Sequence, residues 1–210
     1  FTEMREMAGF TNEELLGLKS ISDATGMSLN DITGEFMAQA QISATSLGVK
    51  LNEKDLLKDI GKISAATTLS LGKNPALIAE AVSTAKALGM EMSKVEGIAD
   101  SLLDFESSIS NELEAELLIN KDLNLEKARQ AALNNDLATV AKEISEQAGS
   151  AAEFGEMNRI QQDALAKAVG MGREELAQTL FIQEQLAGAT GEQAAETEAL
   201  LNKRIEAVGL

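Results

Sequence analysis

Six acids stand between Asp100 and Leu118, namely Asp100, Asp104, Glu106, Glu112, Glu114 and Glu116, with no Lys or Arg among them. Glu112 and Glu116 are four residues apart, which on a helix places them on one face. A carboxylate pair of that kind is what glycoside cleavage or a hard cation requires. The plainer reading, and the one expected here, is the solvated outer face of a long helix. Asn120, Asp122, Asn124 and Glu126 alternate like the start of a calcium loop, but Leu125 stands where that loop needs Gly and Ala131 where it needs its bidentate Glu. A turn followed by a helix cap at Asn124 accounts for the same residues. Ser83 and Lys86 have the Ser-x-x-Lys spacing of penicillin-recognising serine enzymes without their companion signatures. Gly61-Lys62 and Gly72-Lys73 lack the rest of a phosphate loop, and Gly170-Met171-Gly172 has Glu175 in place of the third glycine of a dinucleotide fingerprint. None of these patterns identifies a catalytic, cofactor-binding or metal-ligating residue.

The residue types that are missing narrow the chemistry further. The chain has no His, Cys, Trp or Tyr. That excludes Ser-His-Asp and Cys-His nucleophile systems and zinc sites of the usual nitrogen and sulfur kind, and it leaves di-iron bundles without their Glu-x-x-His pairs. With only six Phe, sugars and bases would find few rings to stack on. Eight methionines could line an adaptable groove, though core filling and helix-end contacts are the ordinary use of that side chain.

The elements that position these residues read as helices throughout. Ala, Leu, Glu, Lys, Gln and Met dominate, and no alternating run of β-branched residues develops. Val95, Ile98, Leu102, Phe105, Ile109, Leu113 and Leu117 step by three and four, predicting one long amphipathic helix near residues 93–118. Leu56, Ile60, Ile63 and Thr67 form a second stripe, and Ile160, Ala164, Leu165 and Ala168 a third. Capping boxes are expected at Thr11/Glu14, Ser93/Glu96, Ser150/Glu153 and Thr190/Gln193, a cap followed by proline at Asn74-Pro75, and further caps at Asn30, Asn52, Asn124 and Asp136. Gly9-Phe10, Gly26-Met27, Gly48-Val49, Gly89-Met90 and Gly170-Met171 repeat a glycine-apolar step that suits a left-handed helix end with the next residue folding back. These signals predict an all-α fold of about nine or ten helices, in one helical segment over 1–210 with sub-boundaries near 119–124 and 149–155.

With 18 Lys plus Arg against 34 Asp plus Glu, the formal charge is −16, so direct binding to nucleic acid or to anionic lipid is not expected. The longest uncharged stretch, residues 36–49, contains Gln39, Gln41 and Ser43 and is too short and polar to span a membrane. The sequence begins at Phe1 and is expected to be an excerpt from something longer.

Several stretches carry a likeness to a known family. They are Ala87-Leu-Gly-Met-Glu-Met-Ser-Lys-Val-Glu96, Ile98-Ala-Asp-Ser-Leu-Leu-Asp-Phe-Glu106, Leu123-Asn-Leu-Glu-Lys-Ala-Arg129, and Met157 through Leu176 with its ending Leu165-Ala-Lys-Ala-Val-Gly-Met-Gly-Arg-Glu-Glu-Leu176. With their glycine-methionine junctions, these segments resemble the helical domains of phage tail tape-measure proteins, chiefly over Leu88 to Gln185. The resemblance implies a helical part of a long virion protein, located in the tail and in the host cytoplasm during assembly. It implies partners among other tail proteins and copies of the same chain. It transfers no functional residue, since the shared motifs are structural. The expected function is thus a non-enzymatic structural or interaction module of a phage tail, without a cofactor. The alternatives are a carboxylate-dependent cell-wall lytic glycosidase and a cytosolic helical adaptor.

Overall fold

The computed structural model describes residues 10–48 and 51–188, which are helical and contain no strand. The twelve helices among the described residues are α1 (Asn12–Thr25), α2 (Leu29–Leu47), α3 (Glu53–Gly61), α4 (Ala65–Ser70), α5 (Pro75–Ala87), α6 (Met92–Leu103), α7 (Phe105–Ile119), α8 (Glu126–Leu133), α9 (Leu137–Ala148), α10 (Ala151–Glu156), α11 (Arg159–Ala168) and α12 (Arg173–Gly188). Ten of them have seven or more residues, and the remaining two, α4 and α10, have six each.

Capping chemistry sets most of these boundaries. Thr11 with Glu14 and Ser150 with Glu153 form the expected reciprocal boxes. Asn52 and Asp136 accept first-turn amides of α3 and α9, and Asn74 accepts the amide of Ala76 just after Pro75. Asn124 accepts the amide of Glu126, one residue ahead of the position where a regular cap would sit. Two expected caps are displaced. Asn30 lies inside α2, whose entry is held by Ser28, with its hydroxyl taking the Asp31 amide and donating to the Asp31 carboxylate. Ser93 lies in the first turn of α6, because that helix already starts at Met92 and its cap residue, Glu91, makes no side-chain capping bond. Unforeseen caps occur at Ser64, at Asp104 and at Asn158 with Gln161. Thr190/Gln193, Gly9, Val49, Met4 and Met7 lie outside the described residues.

The long helix expected over 93–118 is two helices. At Asp104 the backbone leaves the helical region, with φ −77° and ψ 79°, and the Asp104 carboxylate accepts the Ser107 amide at 3.5 Å. One residue therefore ends α6 and starts α7, and apolar spacing alone does not register such a break. The second stripe divides likewise: α3 ends at Gly61 and Ser64 caps α4.

The glycine junctions do bend as expected. Gly26, Gly48, Gly89 and Gly170 all have positive φ, as do Gly72 and Gly149. At Gly170-Met171 the Gly170 amide donates to the Lys167 carbonyl and the Met171 amide to the Ala166 carbonyl, the two hydrogen bonds of a Schellman closure, and Met171 is buried.

By contact, the described residues up to Ala87 together with 185–188 make one compact unit and Leu88–Glu184 another. In the first, α2 packs on α5, α1 crosses α3, and α3 packs on α5, burying Leu18, Ile32, Phe36, Leu56, Ile60 and Ile78. In the second, α6, α8 and α9 pack together and α7 packs on α11, around Val95, Ile98, Leu102, Leu125, Ile144 and Leu165. Met90, Met92 and Met171 of this unit are buried. No described helix is long and apolar enough to cross a membrane.

Candidate functional site

A buried polar cluster lies where α7 hands over to α8. Asn120 closes α7 in the left-handed conformation, with φ 53° and ψ 43°, and the following backbone turns inward so that Leu123 and Leu125 are buried. A non-helical segment beside a core must find partners for its amides. Three successive amides do so through side chains: Leu123 donates to Glu116 Oε1 at 2.8 Å, Asn124 to Gln147 Oε1 at 2.9 Å, and Leu125 to Glu112 Oε1 at 2.9 Å. The second Glu112 oxygen, Oε2, lies 2.7 Å from Arg129 Nη2, and both side chains are almost wholly out of solvent. Arg129 Nη1 donates to Ser108 Oγ at 3.2 Å, and Glu126 stands 3.7 Å from Nη2.

The i, i+4 carboxylates are thus brought to one place, as their spacing predicts. The expectation that both belong to a solvated outer face is corrected for this pair. Glu112 is buried and Glu116 half-buried, while Asp100, Asp104, Glu106 and Glu114 are exposed. The physical reason is Arg129, which neutralises Glu112 in a poorly solvated position, together with linker amides that supply hydrogen bonds to both acids. Chemically this is an occupied clamp, since each carboxylate already accepts from the chain itself. Sequence spacing could find the carboxylates, but Arg129, Ser108 and Gln147 are reached only by tertiary packing.

The other candidate motifs are drawn into structure in the same way. The calcium-like residues form the turn just described, and no group of three or more potential ligands gathers among the described residues. Ser83 is fully buried, with its hydroxyl donating to the Glu80 carbonyl at 3.2 Å, and Lys86 pairs with Asp59 at 2.8 Å. Gly61 sits where α3 crosses α1: a Cβ built there would lie 2.5 Å from the Glu14 carbonyl oxygen, and one on Gly17 would collide with the Gly61 carbonyl. Gly61-Lys62 is therefore a helix-crossing point, and Gly72-Lys73 a turn with φ 66° and 55°.

Among the described residues, two carboxyls have shifted affinities for protons. Burial, and after it the charge of Asp100, raises the pKa of Glu96. The Ser150 amide, followed by the charge of Lys121 and the Ser150 hydroxyl, lowers that of Glu153. No protein-family model matches the chain, and neither a curated protein nor a solved structure shows significant similarity to it.

An apolar row of this region is left exposed. Phe105, Ile109, Leu113 and Leu117, the second half of the long predicted stripe, are 43, 45, 55 and 86% exposed along α7. The buried side of the same helix consists of Ser108, Glu112 and Ala115.

Proposed function

We propose that this chain is a structural and interaction module of a phage tail, similar in role to part of a tape-measure protein, and that it acts by packing helices and not by catalysis. The observation that carries the non-catalytic part is the engagement of Glu112 and Glu116. The strongest pair of reactive groups in the sequence is committed to Arg129 and to the linker amides. The tail assignment rests on the resemblance of the Leu88–Gln185 segments. Its partners on this reading are other virion tail proteins and further copies of the chain, in the tail and in the host cytoplasm while tails assemble. The high negative charge would keep such a module from adhering to packaged nucleic acid.

The test is an in-frame deletion of residues 88–184 from the parent gene, with tails examined by electron microscopy. Shortened tails or failed tail assembly are expected. Tails of normal number and length would overturn the assignment. So would peptidoglycan cleavage by the purified chain that disappears in Glu112→Gln while its helical circular dichroism persists.

A further inference from the structure

Helix α7 has two faces of different fate. Ser108, Glu112 and Ala115 are buried, in a helix that packs on α11. Phe105, Ile109, Leu113 and Leu117 are exposed. Residues four apart advance about 40° around a helix, so these four make an inclined ridge of the kind that fits the groove of a second helix. Charge beside the ridge determines which helix suits it. Exposed Glu106 and Glu114 lie on α7, with exposed Asp100 and Asp104 just before it, and no Lys or Arg occurs between Asp100 and Leu118. Arg129, the cation of the α7–α8 cluster, is already held by Glu112, and the charge of Lys121, four residues past Leu117, acts on Glu153. Among the described residues, no ion pair reaches Asp100, Glu106 or Glu114. A second copy docking antiparallel on the same face would set one acidic margin against another, which disfavours self-pairing. A helix with an apolar stripe and Lys or Arg at its margins would instead bury the ridge and complement those acids.

We infer that the Phe105–Ile109–Leu113–Leu117 face of α7 is a docking site for a basic amphipathic helix of another protein. This deepens the interaction-module reading and rests on it.

The experiment uses the full 210-residue chain and three fluorescein-labelled model helices read by anisotropy. One carries a Leu stripe with Lys and Arg margins, one the same stripe with Glu margins, and one the basic composition with its stripe scrambled. Binding is expected for the first peptide only and should weaken as salt rises. Leu113→Ser/Leu117→Ser should weaken it about tenfold or more, because two anchors are lost, and Glu106→Gln/Glu114→Gln by a smaller, salt-sensitive factor. Both variants alter exposed positions, and unchanged circular dichroism would certify their fold. Equal binding of the acidic or scrambled peptide, no binding at all, or a homodimer that Leu113→Ser/Leu117→Ser dissolves would overturn the inference. The tail deletion separates the two proposals: a chain that binds the basic helix yet is dispensable for tails keeps this surface and loses the tail role. A chain needed for tails that binds no such helix loses the surface alone.

Discussion

Arg129 is the residue on which the handover from α7 to α8 depends. It meets Glu112 at 2.7 Å with both side chains nearly excluded from water, so removing one partner leaves the other as an uncompensated buried charge. Arg129→Met should therefore cost about 3–5 kcal/mol in urea unfolding, whereas Arg129→Met combined with Glu112→Gln, which removes both charges and keeps an acceptor for the Leu125 amide, should cost markedly less. A loss below about 1 kcal/mol for the single variant would mean that the pair is solvated. Glu153 gives a prediction in pH. Its carboxyl is held below the ordinary range in the folded chain, so its stabilising contribution is present above the unfolded pKa and is lost as pH falls through the lowered folded value. Wild type should then exceed Glu153→Gln in stability at neutral pH, with the gap closing on acidification as followed by thermal melts. Glu96 has the opposite sign: its raised pKa means that ionisation costs stability at neutral pH, and the cost disappears as pH falls toward the unfolded value.

At the scale of elements, close helix approach and capping set the geometry. Where α1 crosses α3, Gly17 and Gly61 leave no room for a Cβ against the opposing backbone, and backbone cannot swing aside as a side-chain end can. Gly61→Ala is expected to destabilise by about 1–3 kcal/mol through overpacking. Gly34, within α2 and with nothing inside 4 Å of a built Cβ, provides the contrast. Gly34→Ala should stabilise by about 0.5–1 kcal/mol, because alanine loses less backbone freedom on entering a helix. Chemical denaturation of the two variants side by side checks both signs, and matching effects would show that the crossing tolerates a methyl group. The same scale explains why the long predicted helix divides. Val95, Ile98 and Leu102 are buried while Phe105, Ile109, Leu113 and Leu117 are not, because the cap at Asp104 starts a new helix whose buried side is Ser108, Glu112 and Ala115.

For the whole molecule, the peptide-binding outcome follows from one contrast, between reactive groups engaged inside the fold and an apolar ridge left outside it, whereas the proposed tail-deletion outcome follows from the sequence resemblance over Leu88–Gln185 alone. The sequence by itself determined the all-α class, the boxes at Thr11 and Ser150, the left-handed glycines at 26, 89 and 170, and the high negative charge. Those depend on composition, periodicity and bonds spanning three or four residues, all of which are local. Only the tertiary structure decided that Glu112 meets Arg129, that Glu116 and Gln147 hold the linker, that Gly61 admits another helix, and which half of the 95–117 stripe is covered. Each of those depends on which elements meet in space, and apolar spacing shows that a face is suited to burial without naming the neighbour that covers it.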